Sequence, residues 1–306
     1  MNTTLAADLG GTKCRFALVA SDGTLHADRR RATPRGAEDL HALFARELAA
    51  VRDAPRPGGW AEPRSVGVGV AGVVAEDHRT VVYAPNLALD GIDLQNLLGA
   101  RSLPVRALND GRACALGEYS HGDAAGEEPL LVLLFGSGIG IGWIVGGQPF
   151  AGHSNAAGEA GHLEHVPGGR TCPCGRRGCF EAYCGGKPMV ERAADVLGPG
   201  PTEGGWTVGD VLRVADTQPA AAAILGEARV AACTLVASLC TLLNPGAVVL
   251  GGGVLRGWPE LANHIEEHVR QRCAAVVTRA LRFVRSRGEA DAVLWGAAAF
   301  AGPEAR

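Results

Sequence analysis

Twice in this chain a buried apolar strand empties into a glycine turn, and a second strand returns from it. Leu5-Ala6-Ala7 runs into Asp8-Leu9-Gly10-Gly11-Thr12-Lys13 and comes back as Arg15–Val19. Leu130–Phe135 runs into Gly136-Ser137-Gly138-Ile139-Gly140 and comes back through Ile144-Val145 to the turn Gly146-Gly147. The repetition predicts two related halves. Helical spacing of Leu40, Leu43, Phe44, Leu48 and Val51 predicts a helix over 37–52. Val66–Val70 and Val105–Leu108 read as buried strands, the second ending in Asn109-Asp110 before an alanine-rich helix over 112–119. A long apolar helix over 220–243 precedes the strand Val248-Val249-Leu250, which feeds a third glycine junction, Gly251-Gly252-Gly253. Small apolar residues over 293–301 predict a packed helix. Strands alternating with helices make the class α/β.

With 306 residues, 47% of them hydrophobic, the chain suits one large domain or two medium ones with a sizeable core. The net charge of -3 and the lack of a basic stripe argue against nucleic acid and anionic membrane as partners. No apolar run is read as reaching the roughly 18 residues of a spanning helix. Met1-Asn2-Thr3-Thr4 lacks the basic start of a signal peptide. Nine cysteines, an odd number clustered at 172–184 and otherwise in apolar contexts, fit reduced thiols plus a metal cluster better than a disulfide framework. The expectation is a soluble cytoplasmic protein.

Four constellations carry chemistry. In the first turn, glycines let backbone amides approach an anion, Thr12 adds a hydroxyl and Lys13 a positive charge. Asp8 stands just before it, where a carboxylate holds magnesium directly or through water. The plain alternative is a tight hairpin beside an ordinary acid. Gly136-Ser137-Gly138 is a second such turn, and the two together would grip the phosphates of one nucleotide. Asp110, at a strand end, is a candidate for deprotonating an alcohol during phosphoryl transfer. Its competing role is a helix N-cap. Finally, Cys172, Cys174 and Cys179 stand within eight residues, interleaved with glycine and proline. Three thiols and an imidazole close a tetrahedral zinc site. His162, His165 and Cys184 all compete for the fourth position, and Glu159 and Glu181 flank the ligands.

Taken in order from Asp8 to Gly296, these motifs resemble the ROK family of bacterial sugar kinases. Gly158-Glu159-Ala160-Gly161-His162 combined with Cys172-Pro173-Cys174-Gly175-Arg176-Arg177-Gly178-Cys179-Phe180-Glu181 is the specific part. The resemblance implies a two-domain actin/hexokinase-like (ribonuclease H-like) fold with an interdomain cleft. Residues 1–111, completed by about 294–306, would form the smaller domain and 112–293 the larger one with the zinc loop. It implies ATP-dependent phosphorylation of a hexose hydroxyl, with glucose as leading acceptor. N-acetylglucosamine, N-acetylmannosamine, fructose or a cyclitol are alternatives, and polyphosphate is an alternative donor. Asp110 would be the general base. Asn86, Asn109, Asp110, Glu159, His162 and Glu181 would contact the sugar. Asp8, Gly10, Gly11, Thr12, Lys13, Gly136, Ser137 and Gly138 would bind phosphates and Mg2+, with Gly251, Gly252 and Gly253 near the adenosine end. His162, Cys172, Cys174 and Cys179 would hold structural Zn2+. A homodimer or homotetramer is implied as well. Repressors of the same family carry a helix-turn-helix domain ahead of the first turn, which here begins at residue 8, and Asp110 is present as catalysis requires. The chain departs from glucokinase-like members at Ala88-Leu89-Asp90, where Gly-Trp is usual, a change expected to bear on the sugar pocket. Lesser departures are Ala71, Ile141 and Cys184.

Overall fold

The computed structural model describes residues 1–98, 103–286 and 288–302. The chain divides into two α/β units, one of Met1–Gly126, Gly142–Gly158 and Arg287–Arg306, the other of Glu127–Ile141 and Glu159–Ser286. In the first, β1 (Thr3–Leu9), β2 (Lys13–Ala20) and β3 (Leu25–Ala32) form an antiparallel meander. Helix α1 (Ala37–Arg52) leads to β4 (Val66–Val70), then a small hairpin of β5 (Val73–Val74) and β6 (Val81–Tyr83). Helix α2 (Leu94–Leu98), β7 (Val105–Asn109) and α3 (Asp110–His121) follow. The sheet order is β3-β2-β1-β4-β7, with β4 parallel to both β1 and β7.

The second cycle repeats this plan. Strands β8 (Leu130–Phe135), β9 (Ile139–Val145) and β10 (Gln148–Pro149) form the meander, and the division between units falls within β9, after Ile141. A 3-10 turn (Glu159–His162) precedes the cysteine loop, followed by α4 (Glu181–Cys184), α5 (Gly186–Leu197), α6 (Val208–Val214) and α7 (Pro219–Leu243). Then come β11 (Ala247–Gly251), α8 (Gly253–Gly257), α9 (Glu260–Arg272), α10 (Ala275–Thr278), β12 (Arg282–Arg285) and α11 (Glu289–Ala301). The order β10-β9-β8-β11-β12, with β11 parallel to β8 and β12, matches the first sheet strand for strand. The duplication read from the glycine turns is thus a duplication of topology.

Boundary and packing follow from α3 and α11. The expected division at residue 111 would cut α3 after its second residue; the first unit instead runs on to Gly126. Helices α3 and α11 approach so closely that a Cβ at Gly117 would stand 1.8 Å from Ala292 O, and one at Gly296 1.8 Å from Ala113 O. Small residues in both helices make this contact possible, and the hydrophobic gain comes from backbone-to-backbone packing rather than bulky side chains. Helix α1 buries Leu40, Leu43, Phe44, Leu48 and Val51 on the sheet, the face its spacing predicts. Strand β3 escapes a reading by hydrophobicity because it is a charged edge, Leu25-His26-Ala27-Asp28-Arg29-Arg30-Arg31-Ala32. Arg29 and Arg31 reach the buried Glu47 of α1, and charge on an edge strand discourages pairing with another chain.

Helix α7 corrects the expectation that no apolar segment reaches spanning length. It is long and apolar enough by composition, because Glu227 and Arg229 are its only charges, yet 61% of the relevant window is buried inside its unit. It packs against α4, α5, α6 and α9, as the core helix of its unit does.

Candidate active site and metal centre

In the first unit Leu9 of β1 stands beside Val70 of β4, and Val70 beside Asn109 of β7. The three parallel strands therefore end together and deliver Gly10, Ala71 and Asp110 to one edge, where ligands of α/β sheets bind. The glycine turn is closed by the Gly10 amide, which donates to Lys13 O at 3.1 Å. It is clamped by Thr33, whose hydroxyl donates to Gly10 O at 2.6 Å and whose amide donates to Thr12 O at 3.0 Å. The Gly11 and Thr12 amides donate to no group among the described residues, so they remain available to an anion. Lys13 is exposed at the start of β2. Asn86 packs on the turn itself: a Cβ at Gly11 would lie 2.6 Å from Asn86 Cβ.

The cap of α3 is Asn109 rather than Asp110. Asn109 Oδ1 accepts from the Arg112 amide at 3.2 Å, and its Nδ2 donates to Gly72 O at 3.1 Å. Asp110 is thereby relieved of the cap, and its Oδ1 accepts from the Gly111 amide at 2.9 Å. Burial pushes Asp8 up to about 7, the negative charge of Asp110 adds to the rise, and Arg15 opposes it. Two acids in such mutual repulsion leave an edge short of positive charge, which a divalent cation supplies. Arg112 donates to Asn155 Oδ1 at 2.5 Å and to Asn155 O at 2.8 Å, which secures the segment leading to Glu159. Leu89, the departure expected at the sugar pocket, is instead fully buried in the core, while Asp90 Oδ1 accepts from the Ala84 amide at 2.7 Å. Asn86 lies between Ala84 and Asp90 in the segment that this bond closes.

In the second unit the cysteine loop is a tight hairpin. The Cys172 amide donates to Arg176 O at 2.8 Å and the Gly178 amide to Arg170 O at 2.7 Å. Gly178 has φ +79, and a Cβ there would stand 1.9 Å from Val166 O, so no other residue fits. His162 Nδ1 lies 3.6 Å from Cys172 Sγ, and Cys174 Sγ lies 3.7 Å from Cys179 Sγ. All four ligand atoms are within 4.8 Å of one another. A tetrahedral zinc with Zn–S near 2.3 Å and Zn–N near 2.0 Å separates its ligands by about 3.8 Å for S···S and about 3.5 Å for S···N. The two nearest pairs match those separations. Of the three candidates for the fourth position, His162 is the one grouped with the cysteines, whereas His165 stacks on Phe180 with centroids 4.6 Å apart and the Cys184 thiol donates to Phe180 O. His162 Nε2 faces Glu159 Oε2 at 3.7 Å, a carboxylate placed to orient a metal-binding imidazole.

The loop is built onto the second glycine turn. Gly136 N donates to Gly138 O at 2.9 Å, closing the turn, while Gly186 N and Lys187 N donate to Gly136 O and Ser137 O, each at 2.9 Å. Ser137 and Gly138 amides donate to no group among the described residues. Gly252, the N-cap of α8, lies against the end of β8, where a Cβ would stand 2.3 Å from Phe135 O. Strand pairing sets Leu134 beside Gly251, so the second and third glycine runs leave their sheet side by side. Sequence reasoning missed Thr33, Gly186 and Lys187, which hold the two turns. Their only signal is adjacency in space, across long stretches of chain.

A family model described as "ROK family" matches residues 4–303. A glucokinase from Streptomyces coelicolor is 32% identical over 268 residues, covering 83% of each chain. A kanosamine kinase from Amycolatopsis mediterranei is 32% identical over 258 residues, covering 84% of this chain and 82% of that one. Among solved structures, a ROK family glucokinase from Streptomyces griseus in complex with glucose and AMPPNP superposes with a TM-score of 0.81 at 29% identity, covering 98% of this chain and 99% of that one. The likeness gives this chain the actin/hexokinase-like fold.

Proposed function

We infer that this chain, which belongs to the ROK family, is a sugar kinase that transfers the γ-phosphoryl group of ATP to a hexose hydroxyl. The observation that carries this reading is the edge of the first unit. There the free amides of Gly11 and Thr12, the adjoining Asn86, and the carboxylates of Asp8 and Asp110 meet at the ends of parallel strands. Asp110 orients the attacking hydroxyl and accepts its proton, the help a weakly acidic alcohol needs. Asn86, Asn109, Glu159, His162 and Glu181 hold the other hydroxyls, since carboxylates accept several hydrogen bonds from a polyol. Gly10–Lys13 and Gly136–Gly138 bind phosphates, and Gly251–Gly253 line the adenosine end. Asp8 would hold Mg2+, directly or through water, and the ion when bound neutralises charge on the transferring group. His162, Cys172, Cys174 and Cys179 would hold Zn2+, which when bound fixes the loop.

Glucose is the leading acceptor, supported by the glucokinase relatives. An amino hexose is the second reading, supported by the equally similar kanosamine kinase. Nine free cysteines support a reducing, cytoplasmic setting. Val230 and Leu242 of α7, 54% and 76% exposed, support self-association as a homodimer or homotetramer, which light scattering reads directly. The deciding experiment is a coupled ADP-release screen with glucose, kanosamine, N-acetylglucosamine, N-acetylmannosamine, fructose and a cyclitol. A parallel arm replaces ATP with polyphosphate and reads sugar phosphate. No turnover of any sugar with either donor would sink the kinase reading.

A further inference from the structure

One carboxylate in the second unit belongs to both the cysteine loop and the glycine turn. Glu181 follows Cys179 by two residues and opens α4. Its Oε2 accepts from the Ile139 amide at 2.9 Å, where the chain leaves the Gly136-Ser137-Gly138 turn. A Cβ at Gly138 would stand 2.3 Å from that same oxygen, so the carboxylate lies directly on the turn backbone. Its Oε1 lies 3.9 Å from Cys172 Sγ, a ligand atom of the metal centre. The chain beyond Glu181 continues the grip through the Gly186 and Lys187 amides, which bond the carbonyls of Gly136 and Ser137.

We propose that Glu181 is a positioning residue that ties the cysteine loop to the second glycine turn, so that the loop shapes the phosphoryl-donor site as well as the acceptor site. This rests on the kinase reading above. The physical case is an accounting of the turn's polar groups. Two carbonyls are held by Gly186 and Lys187, the Gly136 amide is used within the turn, and the Ile139 amide is held by Glu181. What remains is the pair of Ser137 and Gly138 amides, the groups an anion takes. A side-chain oxygen within reach satisfies that amide, and the amide oxygen of a glutamine accepts there as a carboxylate oxygen does. Withdrawing it leaves the exit of the turn without its anchor, and the two free amides lose their fixed direction.

Glu181 is also read as an acceptor contact, so the test is run without sugar. A fluorescent, non-hydrolysable ATP analogue with magnesium is titrated into the zinc-loaded full chain. Glu181→Gln keeps the reach to the Ile139 amide and loses the charge. Glu181→Asp keeps the charge and loses the reach, being one methylene shorter. Glu181→Ala loses both. The proposal expects Asp and Ala to bind the analogue about tenfold more weakly, equivalent to about 1.4 kcal/mol, and Gln to stay within about twofold of wild type. Affinity that follows charge instead, with Asp normal and Gln weak, overturns the proposal. So does wild-type affinity in all three. If the alanine variant fails to fold or to hold zinc, the comparison of Asp with Gln decides alone. A wild-type chain that phosphorylates no sugar refutes the kinase reading, whereas a working kinase with Glu181-independent nucleotide binding refutes only this link.

Discussion

Asp8 is predicted to lower the stability of the first unit at neutral pH, and replacing it with Asn should show by how much. Its carboxyl is raised from 3.8 to about 7 by burial and by the charge of Asp110. About three pH units at 1.36 kcal/mol each give about 4 kcal/mol, and because Asp8 retains some solvent contact, screening reduces this to about 2 kcal/mol. The sign follows from proton counts. Below about pH 4 both folded and unfolded chains keep the proton, and Asp8 costs nothing. Between about 4 and 7 the unfolded chain ionises while the folded one does not, so stability falls as pH rises through that window. Above it both are ionised and the full cost is present. Asp8→Asn, an uncharged mimic of the protonated acid, should therefore match wild type near pH 3 and exceed it by about 2 kcal/mol at pH 8. Hydrogen exchange of the β1 and β2 amides reads this unit specifically, and the ratio of variant to wild type at each pH cancels the intrinsic rate. Added magnesium should narrow the gap at pH 8, since the cation binds the ionised form. A gap that is constant with pH, or that favours wild type at pH 8, would refute the assignment of the raised acid.

Four further outcomes are expected. Asp110→Ala should lower kcat by about 10^2 to 10^4 with little change in the sugar KM, as loss of a general base does; an unchanged kcat would remove Asp110 from that role. Cys174→Ser should leave less than about one zinc per chain by elemental analysis, lower the melting temperature and raise the sugar KM. Metal-free protein with full activity would contradict the loop's role. Gly296→Ala should destabilise by about 1–3 kcal/mol or more because its Cβ meets the Ala113 carbonyl at 1.8 Å, whereas Gly226→Ala, in open space on α7, should stabilise by about 0.5–1 kcal/mol; chemical denaturation compares the two. Leu89→Ala should cost about 2–5 kcal/mol and raise the sugar KM through displacement of Asn86, and a stability loss with KM unchanged would reduce Leu89 to a core residue.

Much of the architecture was legible because apolar pattern and burial coincide. The helix over 37–52 and the strands 66–70 and 130–135 fall where their spacing puts them, each burying the expected residues. The missed elements share a physical cause. Strand β3 is an edge that carries arginines, and α9 is largely charged and polar, with only a narrow buried stripe of Leu261, Ala262, Ile265 and Val269. In the candidate site, the four-ligand cluster was legible up to its last member. Spacing alone left His162, His165 and Cys184 open, and the approach of His162 Nδ1 to 3.6 Å from Cys172 Sγ is what singles His162 out. That Leu89 faces the core was not legible, because a sequence shows that a residue differs, not which way it faces.

What the sequence could not contain is how each glycine turn is held. Both turns interrupt a hairpin at the same place in the repeated topology, and both leave two consecutive amides free. Free amides are useful only if the carbonyls between them are fixed, since an unclamped turn spends its binding energy on ordering itself. The first turn takes its clamp from Thr33 at the end of the neighbouring edge strand. The second takes its clamp from Glu181, Gly186 and Lys187, just beyond the metal-ligand cluster. One turn is therefore set from the neighbouring edge strand, through Thr33, and the other from a loop that a metal can fix. The asymmetry lies within a duplicated plan: the same strand–turn–strand unit is clamped from an edge strand in one half and from the segment beyond the cysteine cluster in the other.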